Sequence, residues 1–249
     1  MSLDLSPAPG AAPAGRRLRR HAITEATLLL RNGEQLLLAL VIPLAILVAG
    51  WLAGPRIGIG LDLLAPSVLA LAVWSTGFTS CAIATGFDRR YQVLERLAAS
   101  PLGRSGLIIG KSLAVGAVVL GQCALLGVAA LCLGWRPVWS TAAFATAAIA
   151  LLLACVAFVA AALLLAGTLR AEVVLALANV IYMAGLAFGI LPIGTPGWLA
   201  FTGWLPTGAL GGVFRAASLG YADLTGAAVL AGWALILVLI TRKAFRWTS

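Results

Sequence analysis

Long apolar runs without a charged residue alternate with short segments that hold nearly all of the charge. The uncharged runs cover residues 35–55, 63–87, 112–135, 137–169, 173–214 and 224–241. Since a helix needs about 20 apolar residues to cross the hydrocarbon core of a bilayer, each run is long enough for a membrane span. The pattern predicts an all-α membrane protein.

The run 173–214 is long enough for two spans, but prolines and glycines interrupt its second half. We therefore expect one span at 173–191, followed by an external re-entrant or hairpin element at 192–222. Such irregular backbone is tolerated at membrane depth only where protein or water covers it. The six predicted spans are about 35–55, 63–87, 112–135, 143–167, 173–191 and 224–241.

Composition agrees with this class, since 62% of residues are hydrophobic, 10% are charged and the mean hydropathy is +1.06. Residues 1–15 are rich in Pro, Ala and Gly and are predicted to be a disordered tail. Residues 16–34 form a separate amphipathic segment, and 35–249 form one six-helix transmembrane domain. The first apolar run is kept as a span because no basic-then-apolar signal sequence precedes it.

The basic residues set the predicted orientation. Six spans put both termini on one side; with cytoplasmic termini, the inner segments carry 14 of the 17 Lys and Arg residues. The outer segments carry only Arg56, Arg136 and Arg215. This positive-inside bias accounts for the net charge of +9 without any nucleic acid as a partner. The preference for Arg over Lys and the abundance of Ala suggest a GC-rich bacterial genome, hence a bacterial plasma membrane.

Residues 16–34 carry a helical pattern. Leu18, Ala22, Ala26 and Leu29 fall on one stripe, and polar residues fall on the opposite one. We expect a helix along the inner membrane surface, which either anchors the first span or links it to a cytoplasmic partner. The basic residues selected for this interfacial role are Arg17, Arg20 and Arg31.

The loop after the second run is the most highly charged part of the chain. Seven of the 25 charged residues lie between Phe87 and Ser112. Read as a helix, 88–100 has an apolar ridge of Tyr91, Leu94, Leu97 and Ala98, and Ser100-Pro101 closes it. Such a ridge either fits a groove on another protein or caps the second and third spans, and the pattern alone does not choose between these.

The sequence lacks the residues and spacings that catalysis or cofactor binding would require. The stretch SGLIIGKS (105–112) lacks the first glycine of a phosphate-binding loop at the required spacing, so we expect no nucleotide site. His21, the only histidine, lies in the N-terminal segment, and carboxylates fall only at the ends of runs. We therefore expect no catalytic residue and no metal site. The absence of carboxylates inside the spans also argues against coupling to an ion gradient.

Polar and aromatic side chains in the second and fifth spans are the candidates for contact with a transported molecule. For most of them ordinary helix packing is the favoured role. Asn179 is the lone amide in its span and is weighed evenly between the two. The candidates are Trp74, Phe78, Thr79, Asn179, Tyr182 and Met183.

Two segments resemble the ABC-2 type transporter permeases. Residues 64–114 are similar to that family's second span and its Arg-rich loop, of the form RRYGVLxRLxxTPLxRxxLxxGK. Residues 176–215 look like its fifth span, external hairpin and approach to the sixth span. The chain departs from the pattern at Gln92, where the family usually has Gly, and at Ser67 and Ser100.

The resemblance implies a permease subunit that pairs with a second permease and with two separate ATP-binding cassette subunits, which would hold ATP and Mg²⁺. The segment 88–100 would be the coupling helix seated in the ATPase, and membrane lipids would surround the spans. The resemblance also implies that the complex exports a drug, an antibiotic or a lipid-like amphipathic molecule. The residues implied in coupling are Arg89, Arg90, Tyr91, Leu94, Glu95, Arg96 and Leu97.

Two other functions stay open. A carrier driven by an ion gradient would transport without ATP, since backbone carbonyls at broken helices can coordinate sodium. A membrane scaffold would bind partners and transport nothing.

Overall fold

The computed structural model describes residues 12–190 and 197–245, and every secondary-structure element in these ranges is helical. The α-helices are α1 (Ala14–Arg31), α2 (Gly33–Ile57), α3 (Leu61–Trp74), α4 (Cys81–Arg90), α5 (Val93–Ala98), α6 (Gly103–Cys132), α7 (Thr141–Thr168), α8 (Ala171–Gly185), α9 (Pro206–Ser218) and α10 (Leu224–Ala244). Two π-helical segments, Ser75–Ser80 and Leu186–Ile190, continue α3 and α8, and a 3₁₀ segment covers Gly197–Trp204. The all-α prediction is confirmed for the described residues.

Four helices of the described chain are long and apolar enough to cross a membrane: Leu61–Arg90, Ser105–Cys132, Thr141–Thr168 and Leu224–Ala244. They match the predicted second, third, fourth and sixth spans. Two shorter apolar helices, Ala39–Gly54 and Ala171–Gly185, coincide with the predicted first and fifth spans. Six spans and the side on which the termini lie remain predictions.

Local capping explains several helix ends. The Ser140 hydroxyl accepts a hydrogen bond from the Ala143 amide at the start of α7, and the Asp223 carboxylate accepts one from the Gly226 amide at the start of α10. Pro206 occupies the first turn of α9, where its missing N–H costs nothing. The α7 boundaries therefore lie within two residues of the predicted span 143–167.

Three predicted boundaries are corrected. The third apolar helix begins at Gly103, well before the predicted span 112–135, so Lys111 lies more than two turns inside α6. The amphipathic segment forms α1 from Ala14 to Arg31, which takes in the end of the predicted tail; most of that tail lies outside the described residues. The predicted coupling helix at 88–100 is interrupted, because α4 ends at Arg90 and α5 begins at Val93.

The core of the bundle is centred on α7. Phe158 is fully buried, and its ring packs edge-on against Trp74, which stacks in parallel on Phe78. Helix α10 lies along α7, where the Thr241 hydroxyl donates to the Ala160 carbonyl. Helix α9 is buried between α3, α7 and α10, so this part of the predicted external element is covered by protein.

Candidate functional site

Helix α5 and the turn before it lie at one end of the bundle. We call this end of the bundle the α5 end. Gln92 links α4 to α5 with a φ of 60°, the left-handed conformation that favours glycine. The turn leaves Tyr91 66% exposed and Val93 38% exposed. Two large side chains are therefore exposed at the sharp corner between α4 and α5, although the Tyr91 ring also lies near that of Phe87.

The apolar ridge predicted for this loop divides between two directions. Leu94 is fully buried and belongs to the main core, and Leu97 is half-buried against it. Tyr91 is not part of that core. Leu94 and Leu97 therefore fasten α5 to its own bundle, whereas the exposed residues of this segment include Tyr91, Val93 and Arg96.

The neighbouring arginines bind within the chain. Arg89 donates to the carbonyls of Ala166 (3.3 Å) and Leu169 (3.2 Å), the unsatisfied acceptors at the end of α7. Arg90 forms an exposed ion pair with Glu172 at 2.6 Å. With Arg170 they line an open cleft of about 410 Å³ beside the α7–α8 turn. Glu95, also predicted in the coupling set, is half-buried in the first turn of α5.

A buried ionic cluster joins three helices at the α5 end. The Lys111 ammonium on α6 lies 2.7 Å from the Glu25 carboxylate on α1 and 3.5 Å from the Asp88 carboxylate on α4. The side chains of Lys111 and Glu25 are only 4% and 13% exposed, and that of Asp88 is 31% exposed. Separating charges that are so poorly hydrated would leave each of them buried without a partner, which is costly. The cluster therefore fixes α1 against α4 and α6.

His21 completes this cluster from α1. Its Nε2 lies 3.8 Å from the Glu25 carboxylate, which is too far for a hydrogen bond, and it has no hydrogen-bond partner among the described residues. Burial lowers the pKa of His21 below its ordinary value, although Glu25 acts in the opposite direction. A side chain at Gly110 would collide with the imidazole, so this glycine permits the close approach of α1 and α6.

Helix α1 otherwise agrees with its predicted pattern. All four residues of the predicted stripe, Leu18, Ala22, Ala26 and Leu29, are half-buried. Of the interfacial arginines, Arg17 donates to the carbonyl of Pro101, just after α5, while Arg20 and Arg31 are exposed. Helix α1 therefore contacts the bundle along α6 and also holds the segment that follows α5.

Three of the predicted transport-path residues meet in one cleft. Thr79 of the first π segment and Asn179 and Tyr182 of α8 line a space of about 190 Å³, with Pro43 of α2 on its other side. The Thr79 hydroxyl is buried without a hydrogen-bond partner in the described part of the chain. The Asn179 amide donates to the Leu175 carbonyl at 2.8 Å.

The other three residues lie elsewhere. Trp74 and Phe78 are buried in the core behind the cleft, where the Trp74 indole donates to the Tyr182 carbonyl at 3.3 Å. Met183 is 52% exposed and does not line the cleft. Trp74 and Phe78 thus hold the cleft wall in place.

Three further polar contacts were not predicted. The Thr76 hydroxyl donates to the Gln122 side-chain carbonyl at 2.9 Å, joining the first π segment to α6 inside the bundle. Gln122 is the lone amide of its apolar run, the signal that selected Asn179. Arg215 on α9 donates to the Ser67 hydroxyl at 3.1 Å and to the Ile190 carbonyl at 2.9 Å, so it ties α9 to α3 and to the second π segment. Burial lowers its pKa.

Within residues 12–190 and 197–245, no group of three or more His, Cys, Asp or Glu is placed to hold a metal ion. The stretch 105–112 is helical throughout, as part of α6. Comparison with models of known protein families gives no match, and no curated protein matches the chain significantly.

Proposed function

We propose that this chain is the permease subunit of an ATP-binding cassette exporter of the ABC-2 type, and that it moves an amphipathic molecule outward across a bacterial plasma membrane. Energy would come from separate ATPase subunits that hold ATP and Mg²⁺. The observation that carries the proposal is the exposed turn and helix α5, which stand out at one end of an apolar bundle. The resemblance of residues 64–114 and 176–215 agrees with it.

The exposed surface of α5 suits a protein partner. Tyr91 and Val93 lie at an end rich in charged side chains, where lipid tails would not cover them. Exposed apolar groups with a polar rim are typical of protein interfaces, and tyrosine and arginine are enriched there. Leu94 holds the helix from behind, so a force on Tyr91 would be passed to the core.

The ionic cluster would carry that movement onward. Asp88 lies at the end of α4, directly before the α5 turn, and is joined through Lys111 to Glu25 on α1. Arg17 of α1 holds the Pro101 carbonyl after α5. Both ends of the α5 segment are therefore connected to α1, so α1, α4 and α6 would tilt together when the ATPases close.

The cleft beside the first π segment is the proposed start of the transport path. Tyr182 and the apolar walls would contact the hydrophobic part of the cargo, and the Thr79 hydroxyl and Asn179 amide would contact its polar groups. A cleft of about 190 Å³ is small for such a molecule. We infer that a second permease subunit facing α2 and α8 would complete the cavity.

Six spans with cytoplasmic termini belong to the proposal. Helix α2 has 25 residues, about 37 Å of helix, and α8 with its π segment forms 20 consecutive helical residues. Each would cross a core of about 30 Å. The α5 end would then face the cytoplasm, in agreement with the positive-inside bias.

A carrier driven by an ion gradient is the second candidate, and the Lys111 cluster is the observation that favours it. Buried ionisable groups on apolar helices often take part in proton movement. Transport in sealed vesicles that contain this chain alone, driven by a pH gradient and abolished by an ionophore, would support the carrier and refute the exporter.

Co-purification with an ATP-binding cassette ATPase from the same genome tests the exporter. The change Tyr91→Ala with Arg96→Glu should reduce co-purification and ATP-driven efflux by at least about tenfold, since interface hot spots of this kind contribute about 2 kcal/mol or more. Trp139→Ala is the matched control, because Trp139 is a 79% exposed aromatic residue in the loop at the opposite end. Equal loss with both variants, or no loss with either, would contradict docking at α5.

A further inference from the structure

A second concavity lies on the outside of the bundle, between α6, α7 and α10, close to the α5 end. It encloses about 330 Å³ and is separate from the cleft beside α2 and α8. Its walls are mostly aliphatic, and polar residues lie at one end and part of the way along. The residues that define this groove are Ile109, Ser112, Leu113, Leu152, Val238 and Arg242.

The groove opens where the bilayer would be. All three helices that form it are long and apolar enough to span a membrane. Ile109, Leu113 and Leu152 are 46%, 54% and 59% exposed, so the walls face outward. Lipid tails are as apolar as leucine, so aliphatic walls by themselves would not retain one molecule in preference to another. Selective binding has to come from the polar groups.

Ser112 supplies the first of these groups. Its side chain lines the groove, the residue is only 9% exposed, and its hydroxyl is buried without a hydrogen-bond partner in the described chain. A serine in an apolar helix usually donates to the carbonyl four residues earlier, as Ser67 does to Leu63. A hydroxyl left unpaired in hydrocarbon is unfavourable, so an acceptor from a bound molecule would relieve that cost.

Arg242 supplies the second group. It lies in the last turn of α10 and lines the same groove, one turn beyond Val238. A guanidinium group binds phosphate with two parallel hydrogen bonds, which a water-facing arginine at the edge of a membrane is well placed to make. A cation at the polar end, an unpaired hydroxyl farther in and aliphatic walls follow the order of groups in a glycerophospholipid.

We propose that this groove is a binding site for one membrane phospholipid, held in place and not transported. Its phosphate binds Arg242, and an ester or glycerol oxygen accepts a hydrogen bond from the Ser112 hydroxyl. One acyl chain lies against Leu113, Leu152 and Val238. The bound lipid bridges α6 to α10 at the α5 end. The inference depends on the membrane placement in the proposed function and is independent of any ATPase.

Native mass spectrometry of the purified, delipidated chain tests this site, with dioleoyl-phosphatidylglycerol as the probe. We expect one lipid to bind ahead of the rest. Dioleoylglycerol, which lacks the phosphate, and inorganic phosphate, which lacks the chains, should each fail to compete for that first site. Competition by dioleoylglycerol equal to that of the phospholipid would overturn the role of Arg242, and competition by phosphate would overturn the role of the groove.

Matched variants separate this site from general surface charge and bulk. Arg242→Gln should weaken binding of the first lipid at least about tenfold and Ser112→Ala about fivefold, whereas Lys243→Gln, in the same helical turn, should change it less than about twofold. Leu113→Trp should fill the groove and remove the first site, whereas Leu125→Trp, an equally exposed position on α6, should not. Equal effects of Arg242→Gln and Lys243→Gln, or an intact first site in Leu113→Trp, would refute the proposal.

All of these measurements use the chain alone. A lipid site that survives when no ATPase binds would leave the inference standing and count against the exporter. If the matched variants bind the first lipid equally well while the ATPase docks normally at α5, the lipid site is refuted and the exporter stands.

Discussion

Replacement of Lys111 by methionine is the sharpest test of the mechanical linkage at the α5 end. Methionine keeps most of the side-chain volume and removes the charge, so Glu25 and Asp88 lose their shared cation. Breaking a buried ion pair by removing one partner costs about 3–5 kcal/mol, because the remaining charge stays poorly hydrated. Asp88 is already 31% exposed and can recover water, so we expect a value near the lower limit.

Most of that cost falls on the contact between α1 and α6, since Glu25 is the closer partner at 2.7 Å and only 13% of its side chain is exposed. A loss of about 3 kcal/mol raises the local opening equilibrium of α1 by about a hundredfold. Hydrogen–deuterium exchange measures this directly as reduced protection of the α1 amides, with the amides of α7 little changed.

The second lysine of the chain provides the control. Lys243 is exposed at the end of α10, so Lys243→Met should leave α1 protection within about threefold of the original protein. The double variant Glu25→Gln with Lys111→Met should lose less protection than the two single effects combined, because the paired groups disappear together. Unchanged α1 protection in Lys111→Met, or additive effects in the double variant, would refute the idea that the cluster fixes α1.

Two other predictions concern the same end of the molecule. His21 has a pKa lowered by burial, so the folded state favours the neutral imidazole; its contribution is complete above the ordinary value of about 6.5 and is lost as pH falls through the range below it. Protection of α1 should therefore decrease as the pH falls from about 6.5 to about 5, and His21→Gln should flatten that change; an equally steep profile in the variant would assign it to another group. Gln92→Gly should raise the stability of the α5 turn by about 0.5–1 kcal/mol in exchange or thermal unfolding, because the φ of 60° suits glycine. Ala99→Gly, at a φ of −70°, should lower it, and the same sign for both variants would contradict a strained Gln92.

The limits of some helices and the faces that they turn to the bundle could be predicted from the sequence, because both depend on local patterns. The limits of α7 follow from an uninterrupted apolar run and a serine cap, and the half-buried stripe of α1 follows from its period. Leu94 was predicted with Tyr91 on one ridge because the interruption at Gln92 is invisible to a periodic pattern: glutamine carries no signal for a left-handed conformation.

The ionic cluster was not predictable by the same means. Glu25 and Lys111 are 86 positions apart, and each resembles an ordinary charge near a membrane boundary. Only the packing of α1 along α6 brings them together and buries them. The start of α6 was not predictable either, because its run of uncharged residues begins only after Lys111, whereas the helix begins at Gly103. Charge patterns mark where a run starts, and a helix can begin earlier.

The two π-helical segments have a consequence for how the cleft can change shape. Ser75–Ser80 lies within the long α3–α4 helix, and Leu186–Ile190 lies at the end of α8, so two of the three helices that line the cleft contain one. A π turn accommodates one surplus residue, and moving it along a helix rotates the intervening residues by about 100° while the ends stay where they are. A different set of side chains can thus be presented to the interior by a local change of winding, with the anchoring contacts at both extremities left intact.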